Sequence, residues 1–188
     1  MKKLIFLLAV GFMTSHLSAQ WGAKAGVNFS DFAGSDAGNT KMLVGIYGGL
    51  FYNARINDKF SIEPQLLYSG EGAKDPDSDI KLKLNYLTLT PLARYNLQSG
   101  LFFGTGPEFD LLLSAKLKDN STSVDVKDYY KGFSFAWAFA VGYQMKGGFG
   151  IYGRYNLGLS NILDDSNGDL KNSVIQFGIR YMMADDKK

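Results

Sequence analysis

Residues 133–145 read FSFAWAFAVGYQM. Phe133, Phe135, Trp137, Phe139, Val141 and Tyr143 alternate with Ser134, Ala136, Ala138, Ala140, Gly142 and Gln144. A period of two sends successive side chains to opposite faces of a β-strand. One face here is large, apolar and aromatic, and the other is small and weakly polar. That combination suits a strand whose apolar side meets lipid and whose inner side fits a narrow closed barrel. Alone, the stretch also suits a soluble sandwich, so the flanking sequence has to decide.

Seven further alternating segments lie outward from it, at about 21–32, 43–56, 60–74, 81–97 and 101–118 before it and 149–162 and 173–183 after it. Eight is the smallest usual strand number of an outer-membrane barrel. The connections alternate in kind. Asn57-Asp58-Lys59, Gln98-Ser99-Gly100 and Lys146-Gly147-Gly148 are tight polar turns, whereas 33–42, 75–80, 119–132 and 163–172 are mostly longer and rich in Asp, Asn, Ser and Gly. Short turns at one end and long loops at the other are the asymmetry of a bacterial outer-membrane barrel. The fold class expected is therefore all-β, an eight-stranded antiparallel up-and-down transmembrane barrel.

Aromatic positions follow the same geometry. Trp21, Tyr52, Phe60, Tyr95, Phe103, Tyr143, Phe149 and Tyr181 stand near the short-turn end of their strands and share the parity of the apolar face. Amphipathic rings at one height on the outer wall make an interfacial girdle. The opposite parity collects Lys24, Arg55, Glu63, Arg94, Glu108, Asp110, Arg154 and Arg180, together with Asn28, Gln65, Thr88, Asn156 and Gln176. Charges pointing into a small lumen must pair, because an unpaired buried charge is very costly. With about eight strands the interior is largely filled by side chains, so a wide aqueous channel is not expected. Pro64, Pro91 and Pro107 fall inside predicted strands, where each removes a ladder donor, and bulges or broken pairing are expected there.

The chain opens MKKLIFLLAVGFMTSHLSAQ, with a basic start, an apolar run over Leu4–Phe12 and small residues at Ser18-Ala19. This is the pattern of a secretory signal peptide over 1–20, cleaved after Ala19 or Gln20, and the run is too short to span a bilayer as a helix. The division expected is thus a signal peptide over 1–20, a barrel over 21–183 and a short polar tail over 184–188. Two of the 20 Lys and Arg and none of the 18 Asp and Glu lie in that leader, so the remainder is charge-balanced and gives no reason to invoke nucleic acid. The only histidine, His16, lies in the leader as well, and the chain has no cysteine.

Several segments resemble the PorT-like outer-membrane β-barrel family, a group of small barrels of the OmpA/OmpX architecture. Gly22-Ala23-Lys24-Ala25-Gly26-Val27-Asn28-Phe29-Ser30 is similar to that family's opening strand. Phe60-Ser61-Ile62-Glu63-Pro64-Gln65-Leu66-Leu67-Tyr68-Ser69 is similar to its third, and Asn85-Tyr86-Leu87 through Tyr95 to its fourth. The resemblance implies an outer-membrane location and, for the family's namesake, a part in protein secretion. One departure is the end of the chain. Barrels of this type often finish on an aromatic read by assembly machinery, whereas Tyr181 is followed by Met182-Met183-Ala184-Asp185-Asp186-Lys187-Lys188.

Catalysis finds little support in these residues. Hydrolytic and acyl-transfer sites on barrels commonly use a histidine base, and none remains beyond the leader. Glu108 and Asp110 share a strand face, but paired acids near arginines more often belong to a salt-bridge network. Asp75-Pro76-Asp77-Ser78-Asp79 and Asp165-Ser166-Asn167-Gly168-Asp169 offer alternating oxygens of the kind calcium takes, without the distal Glu of a full loop, and read as solvated acidic loops. No cofactor or metal is expected. Lipid is the expected surrounding, and loops 33–42, 75–80, 119–132 and 163–172 are the candidate contacts for a protein or glycan partner. Val124, Val126, Tyr129 and Tyr130 mark the third of these as the best contact surface. The expected function is non-catalytic, a structural or interaction role through outward loops, with a part in secretion where the resemblance holds. The alternatives are a narrow pore or small-ligand barrel and, further off, a secreted lipocalin-like barrel whose apolar parity would point inward.

Overall fold

The computed structural model describes residues 19–119, 122–164 and 168–183. The leader through Ser18, the tail 184–188 and part of the second acidic loop, 165–167, lie outside the described residues. The strands are β1 (Ala19–Ala33), β2 (Lys41–Arg55), β3 (Phe60–Lys74), β4 (Lys81–Asn96), β5 (Leu101–Lys118), β6 (Ser123–Asp125), β7 (Phe133–Gln144), β8 (Phe149–Gly158) and β9 (Lys171–Met182). Every pairing is antiparallel, and β1 pairs with both β2 and β9. The sheet therefore closes into an eight-stranded barrel, to which the three-residue β6 is appended beside Lys116–Lys118 of β5.

The faces are sorted as a lipid-facing wall requires. Ile46, Phe139 and Ile179 point outward and are 67%, 49% and 61% exposed, while Glu63 and Arg154 point inward and are 0% and 3% exposed. A secreted lipocalin-like barrel demands the reverse, and that alternative is overturned by these faces. Small residues on the inner face are needed for space. At Gly142 a Cβ would overlap the Phe102 ring and crowd the Ile151 carbonyl, so the inward aromatic fits only because β7 offers no side chain there.

Of the bulges or broken pairing expected at the three prolines, the structure shows broken pairing without a bulge. Pro64 pairs with Pro91, and Pro107 pairs with Trp137, in unbroken register. The β4–β5 ladder is interrupted between Leu89↔Phe109 and Ala93↔Thr105, and the β2–β3 ladder between Phe51↔Gln65 and Ala54↔Ile62, without a shift in either register. The prolines thus line up across three strands on the outer face, and the donors they lack account for both gaps. Register shifts fall instead between Met42 and Tyr47 and between Asn85 and Tyr86.

Strand β8 stops at Gly158 rather than continuing to 162. Residues 159–163 turn over the barrel mouth, where Ile162 is buried. The loop 119–132 also carries structure of its own, β6 and a single 3-10 turn over Lys127–Tyr129.

Candidate functional site

The lumen is organised in layers between a closed loop end and an open turn end. At the turn end lies a cup of about 740 Å³, lined by Arg55, Asp58, Arg94 and Lys146 among neutral residues of the hairpins. Its inner limit is a cationic layer around Glu63. That carboxylate accepts from Arg94 Nη1 at 2.8 Å, Arg180 Nη2 at 2.7 Å and Nη1 at 3.1 Å, Gln65 Nε2 at 2.9 Å and Asn53 Nδ2 at 3.2 Å. The two guanidinium groups also lie on inward aromatic faces, Arg94 3.7 Å from the Phe102 centroid and Arg180 4.1 Å from that of Phe51. Such stacking suits the planar, weakly hydrated arginine side chain.

The next layer centres on Arg154, which reaches across the lumen. It pairs with Glu108 and donates to Gln65 Oε1 at 2.8 Å, Thr90 Oγ1 at 2.9 Å and Asn156 Oδ1 at 2.6 Å. Lys24 donates to the same Gln65 oxygen and sits over the Tyr152 ring at 4.7 Å. Above this layer are Glu71 and Asp110, both buried.

The loop end is shut by an apolar cluster. Leu84, Tyr86, Leu112, Ala115, Ile162 and Leu170 form its buried part, and Phe32, Ala37, Val126, Tyr130 and Leu163 pack against it. Burial there pushes the Tyr130 phenol pKa up. Backbone bonds lock the contributing loops together, with Lys131 N–H donating to Ile162 O at 2.8 Å, Asp164 N–H to Tyr129 O at 3.0 Å and Ile162 N–H to Leu170 O at 2.8 Å. The first loop is tied in through Asp169. Its carboxylate accepts from Lys171 Nζ at 2.7 Å and from Ser35 N–H at 3.4 Å, which hold its pKa below the usual carboxylate value. Asp169 N–H in turn donates to Asp36 Oδ2 at 2.6 Å.

Of the eight lumen residues read from the sequence, seven are buried and inward: Lys24, Glu63, Arg94, Glu108, Asp110, Arg154 and Arg180. Arg55 is not among them. As the last residue of β2 it is exposed at the rim of the cup, because the strand ends before its side chain can turn into the network. Glu71, absent from the eight, is also buried and inward, and the alternation of Glu63, Gln65 and Ser69 along β3 is the signal that marks it.

The aromatic residues Trp21, Tyr52, Phe60, Tyr95, Phe103, Tyr143, Phe149 and Tyr181 lie on the outer face near the turn end, all at least partly exposed. Trp21 packs on Tyr52, Phe60 on Tyr95 and Phe149 on Tyr181, at centroid separations of 4.9, 5.1 and 4.7 Å. In the loop 119–132, Val124 and Tyr129 stay exposed, whereas Val126 and Tyr130 serve the cap instead of an outer contact surface. In the 75–80 loop Asp75 Oδ1 is occupied by the N–H groups of Asp77 and Ser78, at 2.8 and 3.1 Å.

A family model described as an outer membrane protein beta-barrel domain matches residues 13–164. The chain belongs to this family. It is a small outer-membrane barrel, located in the outer membrane and surrounded by its lipid. Among solved structures, Neisserial surface protein A is 16% identical, with 87% of this chain and 97% of that one covered at a TM-score of 0.54. Ail of Yersinia pestis is 17% identical over 88% of this chain and 99% of its own, at 0.49. OprG from Pseudomonas aeruginosa is 15% identical over 91% and 99%, at 0.48. At 16% identity the likeness to Neisserial surface protein A is one of fold. No curated protein matches the chain. No helix among the described residues is long and apolar enough to cross a membrane.

Proposed function

We propose that this barrel acts without catalysis, as a structural or interaction protein that presents its loop end outside the cell. The observation that carries the reading is the apolar cap, which joins three loops into one surface and closes the lumen beneath it. A barrel shut in this way favours display over conduction. The buried charge network is then a staple that holds the wall closed, and the outer aromatic residues are the girdle at the turn-end interface. Both termini would lie in the periplasm, with residues 1–20 removed as a signal peptide, 21–183 forming the barrel and 184–188 a polar tail. The resemblance to PorT-like barrels extends the proposal to an accessory part in protein secretion.

The test is a photoreactive side chain placed at Val124 or Tyr129, the two exposed apolar residues of the third loop, in intact cells. A discrete crosslinked partner from either position supports the reading. Absence of any adduct from both positions, in cells where the barrel is assembled, refutes it.

A further inference from the structure

The outer wall of β3, β4 and β5 changes character in steps as it nears the loops. Its lipid-facing positions begin apolar, with Leu66, Leu87, Leu89 and Leu111 exposed. A neutral polar step follows, in which Tyr68 Oη donates to Asn85 Oδ1 at 2.8 Å and Asn85 Nδ2 donates to Ser114 Oγ at 2.8 Å. Beyond it the same face carries lysines. Lys74 stands opposite Lys81, Lys81 opposite Lys118, and Lys83 opposite Lys116. None of the five is buried.

Residues directly opposite in an antiparallel ladder hold their Cβ atoms about 4.5–5.5 Å apart, and like charges so placed are destabilising. Lysines in register on three adjoining strands therefore call for anions beside them, and the chain supplies few. Lys74 pairs with Asp79 at 3.6 Å. Lys81, Lys83, Lys116 and Lys118 close no ion pair among the described residues, although Asp125 stands opposite Lys116 on the β6 side. On β9, by contrast, Lys171 has its own carboxylate partner in Asp169 at 2.7 Å.

The order apolar, neutral polar, cationic along one wall is the order of a lipid leaflet from acyl chain to charged headgroup. Lysine suits that level, because its stem lies along apolar surface while the ammonium reaches the polar zone. Clustered lysines at a membrane surface are drawn to anionic headgroups. A soluble polyanion would also meet these lysines, but it would make no use of the leucines beneath them. We propose that the β3–β5 wall at the loop end holds the phosphorylated headgroup of a lipid, with Lys81, Lys83, Lys116 and Lys118 on the phosphates and the exposed leucines of the same strands along the acyl chains. The display of the loop end outside the cell, on which this assignment of leaflet rests, puts that lipid in the outer leaflet.

The full chain, refolded into a neutral detergent, would be titrated with diphosphoryl lipid A and with phosphatidylcholine, and the lipid retained per barrel counted by native mass spectrometry. The expected result is retention of lipid A at concentrations where phosphatidylcholine is not retained, with an affinity that falls as salt rises. Lys83→Gln combined with Lys116→Gln removes two like charges that face each other, so folding is not endangered. It should raise the half-saturating concentration of lipid A by roughly 30-fold. Lys59→Gln combined with Lys146→Gln takes the same charge from exposed positions at the turn end and should leave that concentration unchanged. Equal retention of the two lipids, an unchanged half-saturation in the Lys83 and Lys116 variant, or an equal loss in the turn-end variant would overturn the proposal. Uptake of a soluble heparin fragment in place of lipid A would overturn it as well, making the patch a site for a soluble polyanion. The titration needs neither a membrane orientation nor a loop partner, so its failure would leave the crosslinking result at Val124 and Tyr129 untouched.

Discussion

Glu63→Gln removes the one negative charge that two buried arginines share. Its carboxylate receives five hydrogen bonds, three of them from Arg94 and Arg180. Glutamine keeps the shape but brings an NH2 group against guanidinium donors, and leaves two buried cations with no anion beside them. Stranding a partner of a buried pair costs about 3–5 kcal/mol, against about 1 kcal/mol or less for a pair that water screens. The difference between those figures makes the substitution a test of whether this layer is dry. The assay is urea unfolding of the barrel in lipid vesicles, followed by tryptophan fluorescence and by heat-modifiable mobility on gels. The midpoint should fall at an unchanged slope. Adding Arg180→Gln to Glu63→Gln should cost less than the sum of the single changes, because the second substitution removes a charge the first left unpaired. A loss below about 1 kcal/mol for Glu63→Gln would refute the claim that the network is a buried staple.

Three other outcomes follow from the same geometry. Phe139→Arg places a cation on the lipid face of β7 and should cost ~2–4 kcal/mol, seen as failure of outer-membrane assembly on fractionation; normal assembly would reverse the assigned faces. Gly142→Val drives a branched side chain into the Phe102 ring, and should cost about 1–3 kcal/mol in the same urea titration. Asp169 has its pKa lowered by Lys171 and the Ser35 N–H, so the tie it makes is fully present above the ordinary carboxylate value and is lost as pH falls through its lower folded value. Protection of the Ser35 amide, taken against its intrinsic exchange rate at each pH, should fall on that descent, and Asp169→Asn should remove that pH dependence.

The barrel was legible because lipid imposes a strict rule on each strand. Stretches such as Phe133–Gln144 must put every second residue outside, and the period survives without knowledge of the partners. The lumen charges followed by elimination, since side chains of the other parity had nowhere else to go. Parity fails where it meets an end or an exception. Arg55 has the right phase but stands at the last position of its strand. Phe51, Phe102 and Tyr152 are large and point inward, a choice made possible by Gly22 and Gly142 beside the phenylalanine rings and visible only once the register is known. The cap was hidden for a different reason. Ile162, Leu170, Val126 and Tyr130 are scattered apolar residues in polar loops, with no period to mark them, and they meet only when the closed wall brings the loops together. The proline row likewise exists only through the strand registers.

The central claim is that the barrel is filled by its own side chains and closed at its loop end. Conductance across a planar bilayer containing the purified full-length chain tests it most directly. The account predicts no stable ionic current above the bare-membrane level at any voltage the bilayer tolerates. Reproducible open steps with a linear current–voltage relation would mean a continuous wet path past Arg154 and Ile162, and would contradict it.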